Sequence, residues 1–181
     1  MNQTKLLWSV PVGPPDIPDS GQRFDLVADE EIRARLAKLA GVRALPRLEA
    51  NFDVARHGAR GVRVTGRVAA TVGQNCVVTL DPIYNEVEES VDLVFAPPAA
   101  RSATADGGEV ASEHLAQDAP EPLLGDTVDL GAIATEFLIL GIDPYPRKPG
   151  AKFEAPPMDN TGAHPFAALA ALKKGRGGKD D

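Results

Sequence analysis

Cysteine is nearly absent from this chain of 181 residues, with Cys76 its single example. One thiol excludes an internal disulfide and any cysteine-rich zinc site, and it suits a reduced, cytoplasmic compartment. Aromatic residues are scarce too: one Trp, two Tyr and six Phe. Long apolar runs are missing, and nothing approaches the about 18 residues of a membrane-spanning helix. Residues 1–10 carry a single Lys and only three consecutive apolar residues, so no secretory signal is expected there, nor any membrane partner. The chain also lacks a Gly-rich phosphate loop, a His–Glu metal motif and a GxSxG elbow. His57, His114 and His164 fall in a turn, a polar insert and a tail, which is poor material for a metal site or a triad. No catalytic residue, metal or cofactor is therefore expected, and the chain reads as non-enzymatic.

What is present is segregated charge. The net charge of −7 argues against a generic nucleic-acid binder, and no DNA partner is expected. The average conceals a basic block at 33–67, net +7, and an acidic block at 81–136, net −12, separated by an uncharged stretch at 68–80. Such blocks either give one molecule opposite faces or pair with each other across a sheet.

The patterning predicts an α+β fold. An antiparallel sheet of about five to six strands should pack against two main helices, with a disordered insertion and an extended C-terminal tail ending in a short helix. A single domain is expected over 1–145 and a tail over 146–181. Short strands are read at 6–12 and 24–27. Asp29 is a good N-cap, with Glu30 and Glu31 in the first turn, for a helix over 30–40 with an Ile32, Leu36, Leu39 stripe and Gly41 as its stop. Residues 47–56 and 61–72 alternate and form a hairpin around 57–61. Paired numbers summing to 116 would set Asp53 and Glu49 opposite Arg63 and Arg67. A sum of 118 would instead set Asn51 opposite Arg67 and leave a three-residue loop. The first register makes a structural face, the second a binding face, and the pattern allows both.

Residues 76–80 are read as continuing the sheet and 84–95 as a further strand. There Glu89 falls on the inward side, as at a bulge or an edge. Residues 97–122 have too few large apolar groups to order themselves. A second helix over 130–142 is apolar nearly all round, with Ile133, Phe137 and Leu140 as its main stripe and Glu136 its only charge. Pro165 opens a last short helix over 165–174, whose narrow stripe of Phe166, Leu169 and Leu172 suits anchoring to this domain or to a partner. Cys76, among uncharged neighbours, is read as a small inert core residue.

Four phrases occur in a suggestive order. They are Gln74-Asn75-Cys76-Val77-Val78-Thr79-Leu80-Asp81-Pro82, Val128-Asp129-Leu130-Gly131, 140–150 with its Asp143-Pro144-Tyr145-Pro146-Arg147-Lys148-Pro149-Gly150, and 165–173. In this order the chain resembles the YceD-like family, the large ribosomal RNA subunit accumulation proteins, in its alphaproteobacterial form. The resemblance implies a bacterial cytoplasmic protein that supports accumulation of large-subunit ribosomal RNA and ribosome biogenesis. Members with more cysteines show Cys-x-x-Cys-Leu here; Thr79 holds the second position in this chain, so no metal role carries over.

Two functions compete. In the first, the basic block holds ribosomal RNA or pre-ribosomal particles through Arg33, Arg35, Lys38, Arg43 and Arg47. These would be phosphate contacts, since no aromatic stacking platform is apparent on that face. In the second, the chain is a protein-binding module or chaperone whose acidic face holds a basic ribosomal protein, with Phe166, Leu169 and Leu172 docking on a partner.

Overall fold

The computed structural model describes residues 7–58, 60–97, 120–123 and 126–153. The chain divides into two compact units, Met1–Ala151 and Lys152–Asp181, and the account below concerns the first. The expected helix over 165–174, with Phe166, Leu169 and Leu172, lies outside the described residues.

The first unit is α+β. A mixed five-stranded sheet has the order β2 (Gln22–Val27), β3 (Ala44–His57), β4 (Gly61–Asn75), β5 (Pro82–Ala96), β6 (Glu121–Pro122). Neighbours are antiparallel except β5 and β6, which run parallel, so the sheet is not purely antiparallel as the pattern suggests. The parallel pairing is only two residues long, beyond the reach of an alternation signal. A separate small sheet pairs β1 (Pro11–Val12) with β7 (Val128–Asp129). The two helices are α1 (Glu30–Leu39) and α2 (Leu130–Gly141).

Both helices pack on one face of the sheet. Even-numbered residues of β3 and β4 supply the core there: Leu48, Ala50, Phe52, Val54, Val62, Val64, Val68, Ala70 and Val72 are all buried. They meet Leu36 of α1 and Leu130, Ile133 and Leu138 of α2. α1 starts as its sequence dictates: the Asp29 Oδ1 accepts the Ile32 N–H at 2.7 Å, and Gly41 leaves the helix at φ 66°. Its buried face is Leu36 and Ala37, with Ile32 half-buried, whereas Leu39 is 58% exposed. The buried stripe turns through Ala37 instead of Leu39.

α2 departs in the same way. Leu138 is fully buried, Phe137 is half-buried and Leu140 is 71% exposed. A helix that is apolar all round carries little information about which side faces the sheet. Asp129 caps it, accepting from the Ala132 N–H at 3.0 Å, and also accepts from the Val10 N–H at 2.9 Å and the Ser9 hydroxyl at 2.5 Å. A Cβ on Gly131 would lie 2.7 Å from the Trp8 carbonyl oxygen. The Val128-Asp129-Leu130-Gly131 phrase is thus a staple that fastens the N-terminal segment to α2.

Residues 76–80 do not continue the sheet. They form a tight turn in which the Leu80 N–H donates to the Cys76 carbonyl at 2.9 Å, and Leu80 takes φ 62°. Of the insertion expected over 97–122, residues 98–119 lie outside the described residues. Its last two residues, Glu121–Pro122, are strand, and the adjoining Leu123 is buried.

Candidate functional site

The hairpin adopts the register summing to 118: Asn51 faces Arg67, Ala55 faces Arg63 and His57 faces Gly61 across a three-residue loop. Glu49 and Asp53 therefore do not sit opposite Arg67 and Arg63. The acids come instead from β5, on the other side of β4. Arg63 grips Asp92 with two hydrogen bonds, Nε to Oδ1 at 3.0 Å and Nη2 to Oδ2 at 2.9 Å, and Arg67 pairs with Glu88. Arg47 reaches across Thr71 to Glu86 at 2.7 Å and lies 3.6 Å from Glu49. On β2, Arg23 lies 3.2 Å from Asp25.

This outer face carries four arginines, yet each has a carboxylate. The titrating groups register it. Glu86 is held below the usual carboxylate range by the Thr71 hydroxyl and then by Arg47; Asp92 is lowered by Arg63, and Asp25 by Asn51 and then Arg23. The basic and acidic blocks pair across the sheet, the second of the two arrangements that the charge pattern allows.

The five expected RNA contacts accordingly separate. Arg47 is spent on Glu86 and Glu49. Arg35 makes an i,i+4 pair with Glu31 on α1. Arg33 is half-buried and donates to the Ala28 carbonyl at 2.5 Å, closing the turn before the helix. Lys38 and Arg43 are exposed, and neither has a carboxylate partner among the described residues. They stand at the C-terminal end of α1 and the entry to β3, where the Arg43 N–H donates to the Gly73 carbonyl at 2.8 Å.

One residue here escaped the sequence reading. Tyr84 opens β5 directly opposite Gly73, which in turn pairs with Ala44 next to Arg43. Its Cε1 lies only 3.0 Å from where a Gly73 Cβ would stand, so the ring lies across the glycine on the outer face while remaining 62% exposed. An exposed aromatic therefore does neighbour the basic block. Its signal was the parity that Tyr84 shares with the outward Glu86, opposite the side-chain-free Gly73.

A second constellation joins two of the phrases noted in the sequence. Cys76 is fully buried, and its Sγ accepts N–H groups from Val78 and Thr79, each at 3.4 Å, and from Lys148 at 3.3 Å. These donors, Lys148 first and Thr79 next, pull the thiol down to about 6. Around it the Val77 N–H donates to the Pro146 carbonyl at 2.9 Å, and Lys148 Nζ pairs with Asp81 at 3.0 Å. Gln74 Nε2 donates to the Asp143 carbonyl at 2.8 Å. Cys76 is therefore more than an inert core residue. It clamps the 76–81 turn to the segment after α2, which is why the first unit extends to Ala151.

The family model described as "Large ribosomal RNA subunit accumulation protein YceD" matches residues 64–173, more than half of the chain. The chain belongs to the YceD family. No curated protein and no solved structure matches it. The match to YceD covers β4 from Val64 onward, Tyr84, the Cys76 clamp, the Asp129 staple and α2. Arg33, Arg35, Lys38, Arg43 and Arg47 precede it. By its family this YceD protein is tied to the accumulation of large-subunit ribosomal RNA, and no helix among its described residues is long and apolar enough to cross a membrane.

Proposed function

We propose that this YceD protein supports large-subunit RNA accumulation by direct, non-enzymatic contact with precursor ribosomal RNA or an early assembly particle in the cytoplasm. The contact is the cationic end of the sheet, where Lys38 and Arg43 meet phosphates and Tyr84 offers a stacking surface to an unpaired base. The observation that supports it is the contrast within the basic block: among the described residues Lys38 and Arg43 have no carboxylate partner, while Arg47, Arg63 and Arg67 are neutralised. Arg35, paired with exposed Glu31, is the adjoining reserve.

Changing Arg35, Lys38 and Arg43 together to Glu is expected to abolish association with ribosomal RNA while the protein stays folded, because exposed charges contribute little to stability. Single Ala changes at Lys38 or Arg43 should each reduce the salt slope of RNA binding by about 1. A folded triple variant that restores large-subunit RNA in cells lacking the protein would defeat this reading.

A further inference from the structure

The flank of the molecule beside α2 is chemically unlike the cationic end. β5 is hydrogen-bonded to β4 along its whole length, but on its other side, among the described residues, only Phe95 and Ala96 are paired, to Glu121 and Pro122. Among the described residues, the edge over 83–94 has no strand partner. Such an edge presents a row of N–H and C=O groups to any chain that can lie along it.

Beside this edge, between β5, β6 and α2, runs an open groove of about 380 Å³. Leu93, Phe95, Ile133, Phe137 and Leu140 line it, and its rim carries Glu121 and Glu136. Among the described residues no basic side chain lines it. Glu89 stands on the same inward face of β5, at the C-terminal end of α2. A Cβ on Gly141 would lie 2.7 Å from its Oε1, so the glycine makes the room that this carboxylate occupies. Glu89, Glu121 and Glu136 have no cation partner among the described residues. They contrast with Glu86, Glu88 and Asp92 on the outer side of the same strand, each of which has an arginine.

We infer that this flank docks an extended, basic segment of another protein, one that carries both apolar residues and Lys or Arg at every second position, the positions that share the groove's side of the strand. The segment would add to β5 as a strand, set its apolar side chains in the groove and bring its cations to Glu89, Glu121 and Glu136. The open edge selects an extended partner. The unpartnered carboxylates select a cationic one and repel nucleic-acid phosphates. Segments of this composition are what RNA-binding proteins use to neutralise phosphates, so the partner is a basic protein not yet seated on its RNA. The groove and its carboxylates are separate from Lys38 and Arg43, and the docking does not depend on the RNA contact proposed there.

The test uses the full chain and a fluorescent twelve-residue peptide, Val-Thr-Lys-Thr three times over, which sets Val and Lys on one face and has the length of the open edge. Saturable binding is expected, and replacing Glu121 and Glu136 together by Gln should weaken it about tenfold. N-methylation of alternate peptide amides on the edge-facing side should weaken it by a similar factor, since those amides form the ladder. A photo-crosslinker at position 140 should label the peptide. Equal binding of a Val/Glu peptide, or of one with the same valines and lysines in two blocks, would overturn the proposal. So would indifference to N-methylation, or a crosslink running to residues 154–181 of the chain itself. The Arg35, Lys38, Arg43 triple Glu variant should bind the peptide normally, which separates failure here from failure of the RNA reading.

Discussion

The outer face of the sheet and the flank of α2 both carry carboxylates and treat them in opposite ways. On the outer face Glu86, Glu88 and Asp92 meet Arg47, Arg67 and Arg63, so a region dense in charge presents little net field. On the flank Glu89, Glu121 and Glu136 have no cation among the described residues and border an apolar groove. Charge along a chain measures what can be paired; only the fold decides what is left over. The basic block stands out in the sequence, yet Arg47, Arg63 and Arg67 are cancelled by a strand more than 20 residues away. The flank has fewer charges, and Glu89, Glu121 and Glu136 have no cation partner among the described residues.

The reach of Arg47 across Thr71 to Glu86 depends on hairpin register, and Gly66 lets the two strands of the hairpin approach in that register. Its φ is 156°, and a Cβ there would lie 2.0 Å from the Asn51 carbonyl oxygen. Gly66→Ala must push β3 away from β4, and is expected to cost about 3 kcal/mol or more in chemical denaturation. A loss below about 1 kcal/mol would show that the strands slide without penalty, and that the ion-pair ladder is not locked.

The flank makes its own demand. Leu138 is fully buried against the sheet, whereas Phe137 lines the groove and is half-buried. Leu138→Ala should therefore cost about 2–5 kcal/mol, and Phe137→Ala only about 1–2. The reverse order would mean that the groove is core and the flank is no surface at all.

These positions show what could be read from the chain and why the rest could not. Asp29 as an N-cap, Gly41 as a stop and the alternation of 47–56 and 61–72 are local signals, and the structure follows them. The choice between sums of 116 and 118 was illegible because both keep every side chain on its proper face. The partners of Arg63 and Arg67 lie on β5, and the Cys76 thiol takes a hydrogen bond from Lys148, 72 residues away. Nothing local encodes such contacts. α2 was recognisable as a helix but not orientable, since Phe137, Leu138 and Leu140 are alike in hydropathy. The significance of Tyr84 depends on the empty position at Gly73, which no local pattern marks.

Titration separates the two kinds of charge in a third place. The Cys76 thiol is held near 6 in the folded protein against an ordinary value near 9. A depressed folded pKa means that the unfolded state binds more protons between those values. Stability from this group is therefore complete above about pH 9 and is lost as pH falls through 6. The stability difference between the parent protein and Cys76→Ser should grow from pH 6 to pH 9. Asp25, Glu86 and Asp92, also lowered, contribute in a separate window: their share is present at neutral pH and lost in acid, below the ordinary carboxylate range. A flat difference across the upper window would mean that the thiol stays protonated and that Lys148 and Thr79 do not hold a charge.

The smallest expected change in stability gives the sharpest test of the comparison. Arg67 and Glu88 are each 61% exposed, so a double-mutant cycle on the pair should return about 0.2–1 kcal/mol, shrinking with salt. The fold hardly needs the pair, but the surface field does. Glu86→Gln and Glu88→Gln together remove the main partners of Arg47 and Arg67 without disturbing the core face of β5. If the outer face is quiet only because it is neutralised, this double variant should gain non-specific RNA binding. Two uncovered arginines should steepen the salt dependence by about 1.5 in slope. The gain should survive Lys38→Glu and Arg43→Glu, because Arg47 and Arg67 supply it. A folded Glu86→Gln, Glu88→Gln protein with no change in RNA affinity or salt slope would show that the arginines are held by geometry rather than masked by charge, and the contrast between the paired face and the unpaired flank would lose its basis.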